Sequence, residues 1–144
     1  MGNARKPRRL CLHCGQIVEN LRSKYCSLGC QMEFQHNRYI ERWMGDEVSG
    51  SRHEGCVSRH IRRWLFERAG GKCEQCGWSR LHPVTGLVPL TVNHIDGNSE
   101  NHRPDNLELL CGSCHSLTPN YGKLNHGRGR RIRREKLQKQ PMGM

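Results

Sequence analysis

Two cysteine pairs frame the central part of this chain: Cys73-Glu-Gln-Cys76 and, after 34 further residues, Cys111-Gly-Ser-Cys114. Four thiolates in two close pairs are a ligand set of structural zinc, which they surround as a tetrahedron. An interval of 34 residues is longer than a simple zinc finger would have between its two cysteine pairs. It indicates two knuckles that tie together the ends of an inserted unit, and we expect the chemistry of the chain in that insert.

A second four-cysteine pattern lies near the start of the sequence. Cys11-Leu-His-Cys14 is followed, after eleven residues, by Cys26-Ser-Leu-Gly-Cys30, which again predicts a four-thiolate zinc site. His13 lies within the first knuckle, but four cysteines already complete the site. The alternative is two unrelated pairs of reduced cysteines.

The composition indicates that the fold needs stabilisation by bound metal. Leu, Ile, Val and Phe account for 27 of the 144 residues, and the formal net charge is +11, a combination typical of chains that stay disordered. A structural zinc contributes on the order of 10–16 kcal/mol of apparent binding energy, against about 2–4 kcal/mol for a disulfide. The sequence therefore predicts two structural zinc ions that stabilise a small core.

The sequence also indicates the compartment. Residues 1–9 are basic and lead into Cys11 without the apolar run of a secretory signal, and no apolar stretch approaches the roughly 18 residues of a membrane span. We therefore expect an intracellular, cytoplasmic protein with no membrane partner. The ninth cysteine, Cys56, belongs to neither pattern and is interpreted as a small buried hydrophobe rather than a reactive thiol.

The insert has the pattern of a small α+β unit. Residues 87–92 are predicted as a short strand, in which Pro89 is tolerated near an edge or a bulge. Residues 95–105 form a polar, turn-rich loop, and residues 107–110 form a second strand that runs into Cys111. A short helix is expected from about Ser113.

Two histidine-containing segments stand in this insert: NHIDGN at residues 93–98 and RPDNLELLCGSCH at residues 103–115. In this order, and with the zinc knuckles, they resemble the HNH endonucleases, the ββα-metal nucleases common in phages and homing elements. The resemblance covers about residues 73–121, a third of the chain. It implies a zinc-stabilised ββα-metal nuclease core, preceded by a four-cysteine zinc finger and a helix, that acts in the cytoplasm, including that of a phage-infected host.

The resemblance also implies roles for four residues. In that family the His of the first segment is the general base, which corresponds to His94. The residue before it and the final His hold one divalent cation, which implies Asn93 and His115 as its ligands. The middle Asn braces the loop between the strands and corresponds to Asn106. Asn93 departs from the Asp or His that many members carry at that position.

This arrangement agrees with the chemistry of phosphodiester hydrolysis. A neutral imidazole, with an ordinary pKa of about 6.5, can take a proton from the attacking water at cellular pH. One cation can stabilise the charge on phosphorus and on the departing 3′ oxygen. Two protein ligands leave most of the coordination shell to phosphate and water, which suits Mg²⁺ and also admits Mn²⁺. Asp96 is interpreted as shaping the loop, and His102 as a loop residue with phosphate contact as the alternative.

Two helices are predicted before the insert. Apolar residues from Met32 to Met44 recur at about 3.6 residues and stop at Gly45, and a second such pattern runs from Val57 to Leu65 and ends near Gly70. Residues 45–55 contain three glycines and two serines, which is typical of a linker. The predicted domains are a zinc finger with its helix (1–44), the linker (45–55), the HNH nuclease domain with the second zinc site (56–125) and a basic tail (126–144).

The charge predicts a polyanionic partner. A net charge of +11 and a pI near 9.6 favour nucleic acid, and with the resemblance they favour double-stranded DNA. The second helix carries arginines that either contact phosphates or form a solvated face: Arg59, Arg62, Arg63 and Arg68. The tail is interpreted as a disordered basic arm, with a helix that reads a groove as the alternative.

Two other functions compete with the endonuclease. A zinc-dependent nucleobase deaminase would need a Pro before a Cys-x-x-Cys, but Lys72 and Leu110 precede the pairs here, which excludes it. A zinc-containing protein that binds nucleic acid without cutting it remains the alternative. A monomer with one site is expected to nick DNA and a homodimer to cut both strands, and the sequence does not choose between them.

Overall fold

The computed structural model describes residues 7–20, 22–53 and 55–125. The chain divides into two compact units, Met1–Arg42 and Trp43–Met144. In the part of the chain that the structure describes, none of the helices has the length and apolarity needed to cross a bilayer. The basic tail predicted for residues 126–144 lies outside the described residues.

The first unit consists of a hairpin and most of a helix. Strands β1 (Arg9–Leu10) and β2 (Ile17–Val18) pair antiparallel, and helix α1 (Leu28–Met44) follows. The helix begins four residues before Met32, the first residue of the predicted apolar pattern. The cause is Ser27, whose Oγ accepts a hydrogen bond from the Cys30 amide at 3.1 Å, as a helix N-cap does.

The second unit begins inside α1, at Trp43. The Trp43 ring is 2% exposed and meets the ring of Trp64 edge-on, with centroids 5.2 Å apart. Gly50 has φ 75°, and a Cβ at this position would collide with the side chain of Ile61 and approach Trp43 Nε1 to 2.8 Å. A glycine is therefore required here for close packing.

The segment interpreted as a linker, residues 45–55, contains regular structure. Strand β3 (Ser51–His53) pairs antiparallel with strand β4 (Cys56–Val57), and the segment lies in the same compact unit as the insert. The amide of Ser58 donates to the carbonyl of Gly50 at 2.9 Å, which closes this small hairpin. The glycines that suggested a linker thus serve the turns and the close approach of a packed segment.

Helix α2 (Arg59–Arg68) has an apolar face that enters the core through Ile61 and Leu65, both fully buried. Val57, the predicted first member of its pattern, lies in β4 instead. Ser58 separates the two elements because its backbone is extended and its Oγ accepts from the Ile61 amide at 3.3 Å.

The insert forms a hairpin and a short helix. Strand β5 (Leu90–His94) pairs antiparallel with strand β6 (Leu107–Cys111), and helix α3 (Gly112–Ser116) follows and contacts both strands. The first strand begins three residues later than predicted. Pro89 has no N–H for a ladder, and the Leu90 amide is taken by the carbonyl of Val88 at 2.9 Å. The small α+β class predicted from the sequence is confirmed.

Candidate functional site

The structure brings the eight patterned cysteines into two groups. Within each group the sulfur atoms all lie within 4.8 Å of one another. A tetrahedral zinc with Zn–S bonds of about 2.3 Å needs sulfur atoms about 3.8 Å apart, and Cys76 Sγ and Cys111 Sγ are 3.8 Å apart. Both groups could hold a metal ion: Cys11, Cys14, Cys26 and Cys30 in the first unit, and Cys73, Cys76, Cys111 and Cys114 in the second. Among the described residues, Cys56 belongs to neither group.

One thiol in each group is acidic. Burial raises the pKa of Cys73, but hydrogen bonds from backbone N–H groups, with that of Cys111 foremost, lower it to about 6. The same opposition holds in the first group, where backbone N–H groups led by that of Cys14 bring the pKa of Cys11 to about 6. Thiolates are the metal-binding form of cysteine, so each group has one ligand ready near neutral pH.

Other thiols of the groups hold their protons more tightly. The hydrogen bond between the side chains of Cys114 and Cys76 raises the pKa of Cys114 to about 12, and burial acts in the same direction. In the first group, the hydrogen bond between the side chains of Cys26 and Cys30 raises the pKa of Cys26 to about 12 as well. Binding of a metal ion to either group must therefore displace protons.

Glu74, which lies between Cys73 and Cys76, links the insert to α2. Glu74 Oε2 accepts hydrogen bonds from the amide of Leu109 at 2.6 Å and from Arg68 Nη2 at 2.7 Å. The same guanidinium donates to the carbonyl of Leu107 at 2.9 Å. Arg68 therefore serves the packing of the domain, in contrast to the phosphate contact or solvated face considered for it from the sequence.

The hairpin register sets the surroundings of Asn93. Asn93 is opposite Glu108 and His94 is opposite Leu107. Asn93 is 8% exposed, and its Nδ2 donates to Glu108 Oε1 at 2.7 Å. Because the amide nitrogen is held in this way, the carbonyl oxygen Oδ1 is the Asn93 atom left for another ligand.

One cavity brings together three of the four residues singled out by the resemblance. Its volume is about 340 Å³, and Asn93, His94 and His115 all line it. His94 comes from the end of β5 and His115 from α3, so the hairpin and the helix meet here. The ring of His115 also meets the ring of Tyr121 edge-on, at 5.3 Å between centroids. Asn93, His94 and His115 therefore border one space.

The fourth residue, Asn106, is not among the lining residues of the cavity and holds the loop between the two strands. Its Oδ1 accepts from the amide of Asp96 at 3.0 Å, and its Nδ2 donates to Asp96 Oδ1 at 2.9 Å and to the carbonyl of Asn101 at 2.8 Å. Burial raises the pKa of Asp96, but hydrogen bonds from Asn101, Asn98 and Asn106 and the charge of His94 outweigh it and lower the pKa below its usual value. The carboxylate of Asp96 thus organises the loop.

His94 is in contact with a second histidine. His94 Nε2 lies 3.0 Å from His102 Nδ1, and the ring centroids are 5.2 Å apart. His102 is 3% exposed, and its carbonyl accepts from Trp43 Nε1 at 2.7 Å. The sequence interpretation of His102 as a loop residue did not include this contact.

Two further residues close the cavity and were not predicted from the sequence. Asn120 Nδ2 donates to the carbonyl of Ile95 at 2.9 Å, and Asn125 Nδ2 donates to that of Gly97 at 2.8 Å. Both side chains approach Gly97 so closely that a Cβ there would lie within 3.0 Å of them. No sequence pattern marks Asn120 and Asn125, because their place at the cavity depends on how the chain folds back after α3.

Comparison with known proteins agrees with the resemblance. Residues 73–119 match the family model for HNH endonuclease. Over 57 residues the chain is 46% identical to the H-N-H endonuclease F-TflIV of Escherichia phage T5, an alignment that covers 40% of this chain and 24% of that protein. Over 58 residues it is 34% identical to a probable HNH endonuclease of Lactococcus phage SK1, covering 39% of this chain and 62% of that protein. No solved structure matches the chain significantly.

The resemblance found in the sequence is therefore confirmed for residues 73–119, which include Asn93, His94 and His115. The chain spans about a quarter and about three fifths of the lengths of these two relatives.

Proposed function

We propose that this protein, through the HNH endonuclease domain at residues 73–119, is a metal-dependent DNA endonuclease that hydrolyses phosphodiester bonds. The observation that carries the proposal is the shared cavity of Asn93, His94 and His115. An imidazole base and a cation must reach one scissile phosphate, and side chains that line one cavity of about 340 Å³ can do so.

In this proposal His94 is the general base. A neutral imidazole next to the scissile phosphate takes a proton from the attacking water, and the residue must be held so that its lone pair faces that water. Asn106 supports the step from outside the cavity, because its three hydrogen bonds with Asp96 and Asn101 hold the loop that follows His94.

Asn93 and His115 would hold one divalent cation, Mg²⁺ or Mn²⁺. The donor set fits, since Glu108 occupies the amide nitrogen of Asn93 and leaves its oxygen, the donor that hard cations prefer, while His115 offers an imidazole. When bound, the cation would act as a Lewis acid on the phosphate and stabilise the departing oxygen.

Each four-cysteine group is assigned a structural zinc, since four sulfur donors with no open position suit zinc in a closed site. The zinc of the second group would stabilise a ββα-metal core made of β5, β6 and α3. The first group, with the helix that follows it, would form a separate zinc-finger module that adds affinity for DNA.

The substrate is proposed to be double-stranded DNA, which the protein would meet inside the cell. A groove of about 610 Å³ lies along α2 and is lined by Arg59, Arg62 and Arg63 on one side. Leu90, which also lines it, is the first residue of β5, the strand that ends at His94. A strand rises about 3.3 Å per residue, so Leu90 at the groove lies within about 15 Å of His94, the proposed general base.

The proposal is tested with supercoiled plasmid. Wild-type protein in Mg²⁺ or Mn²⁺ should convert it to nicked or linear DNA, whereas protein in EDTA should leave it intact. Nicks alone would indicate a single acting site, and early linear product would indicate a homodimer. Intact plasmid with both metals, together with DNA binding in a gel-shift assay, would support the alternative of a zinc-containing protein that binds nucleic acid without cutting it.

DNA affinity should depend steeply on salt. If about six phosphates are neutralised, the plot of log affinity against log salt concentration has a slope of about −5. An Arg59→Gln/Arg62→Gln double variant should weaken binding and reduce that slope by about 2. Fluorescence anisotropy with a labelled duplex at several salt concentrations measures both effects.

The matched control is an Arg52→Gln/Arg80→Gln double variant. It carries the same change in charge, but its two exposed residues do not line the groove. We expect a smaller change in slope for this control. Equal changes in the two double variants would show that the net charge, rather than the α2 groove, governs binding.

A further inference from the structure

We infer that His102 is a positioning residue for His94: it accepts a hydrogen bond from the Nε2–H of His94, so that Nδ1 is the nitrogen of His94 that takes the proton of the attacking water. The inference deepens the proposed function and rests on it. The observation that carries it is the distance of 3.0 Å between His94 Nε2 and His102 Nδ1. At this distance one of the two nitrogens must be the donor and the other the acceptor.

His102 is held firmly enough to orient another side chain. It is 3% exposed, and its carbonyl accepts a 2.7 Å hydrogen bond from the indole of Trp43, itself 2% exposed and packed on Trp64. The carbonyl of its neighbour Asn101 accepts a hydrogen bond from Asn106 Nδ2 at 2.8 Å. His102 thus connects the base to the core of the domain, whereas His94 stands at the cavity with partial exposure.

The direction of this hydrogen bond determines whether His94 can act as a base. A neutral imidazole has one N–H and one acceptor nitrogen. If His94 donates from Nε2, its Nδ1 keeps the lone pair that a base requires. If His102 donates instead, Nε2 of His94 is the acceptor and its proton is on Nδ1. His94 then has no second lone pair with which to take a proton from water. Only the first arrangement is compatible with the proposed reaction.

The proton transfer can be followed through this pair. A proton of the attacking water moves to Nδ1 of His94, the water oxygen forms a bond to phosphorus, and the bond between phosphorus and the 3′ oxygen breaks. The 3′ oxygen then takes a proton from solvent, and His94 returns its proton to solvent. While His94 is an imidazolium, its Nε2–H still donates to neutral His102, so the same contact stabilises the charged form.

The tautomer can be measured without any cleavage. Two-bond ¹H–¹⁵N spectra of full-length, zinc-loaded protein, recorded without Mg²⁺ or Mn²⁺ at about pH 8, report which ring nitrogen carries the proton. The signals of His94 are identified by their absence from the spectrum of His94→Ala. We expect the proton on Nε2. A proton on Nδ1 would overturn the inference.

Two variants of His102 separate positioning from packing. His102→Leu removes the acceptor, and His102→Gln keeps a side-chain carbonyl of similar reach. We expect His102→Leu to lower the nicking rate at saturating DNA by about 10- to 100-fold, as partial loss of a general base does, with DNA affinity unchanged. His102→Gln should restore much of the rate and the Nε2–H signal. Equal losses in both variants, with an unchanged His94 spectrum, would show that His102 only fills space.

The outcomes distinguish this inference from the proposed function. Two zinc ions per chain and a cooperative melting transition serve as the check that each variant is folded. Wild-type protein that leaves plasmid intact with both metals overturns the proposed function. Wild-type protein that cuts plasmid but carries the His94 proton on Nδ1 overturns only the assignment of His102.

Discussion

Replacing His94 with alanine should lower the rate of plasmid cleavage by about 10²- to 10⁴-fold, the usual contribution of a general base. The loss is expected because His94 is the imidazole that lines the cavity with both proposed ligands of the cation, Asn93 and His115. Binding of DNA should change little, since the arginines of α2 are untouched. The measurement is the single-turnover nicking rate in Mn²⁺, with DNA affinity followed by anisotropy.

The control for this variant is His53→Ala, which removes an exposed imidazole from β3. We expect it to cleave at the wild-type rate. Both variants should retain two zinc ions per chain, which excludes unfolding as the cause. Cleavage by His94→Ala at a rate close to that of the wild type would contradict its role as the base.

Replacing Cys76 with serine should remove one zinc ion and unfold the second unit. A structural zinc contributes on the order of 10–16 kcal/mol, as much as the whole free energy of unfolding of a typical domain. The unit has a small apolar core and depends on its cysteine group to join the start of the insert at Cys73 to its end at Cys111. Zinc content, near-ultraviolet circular dichroism and plasmid cleavage should all report the loss.

Two comparison variants make this result specific. Cys56→Ser alters a cysteine outside both groups and should retain two zinc ions and full cleavage. Cys14→Ser should lose the zinc of the first unit while the second keeps its own, so that cleavage continues with weaker DNA binding. A Cys76→Ser protein that still holds two zinc ions would refute the assignment of Cys76 as a ligand.

Much of the architecture could be predicted because it depends on short-range features of the chain. A Cys-x-x-Cys knuckle is a local structure, and two knuckles can share a tetrahedral ion whatever lies between them. The helices were predicted because each buries one face at a period of 3.6 residues, as Ile61 and Leu65 do. For the helices the errors lay at the first residue, which single caps such as Ser27 and Ser58 set.

Other contacts could not be predicted because they depend on how the chain folds back on itself. Arg68 meets Glu74 because the backbone reverses at Gly70 and Gly71, both with positive φ. Nothing in the helical pattern distinguishes this arginine from those that line the groove. The segment 45–55 has the composition of a linker, yet its Gly50 is where the backbone passes against Ile61.

The same limit applies within the site. The order and spacing of Asn93, His94, Asn106 and His115 were enough to single them out, because the motif specifies residue types at fixed separations. Their partners, Glu108 for Asn93 and His102 for His94, follow from the strand register and from a loop held by Asp96, which no local pattern encodes. Residue types and spacing thus point to the proposed ligands and the proposed base, while the folded chain determines which atom of each side chain is available, since hydrogen bonds between distant residues occupy the others.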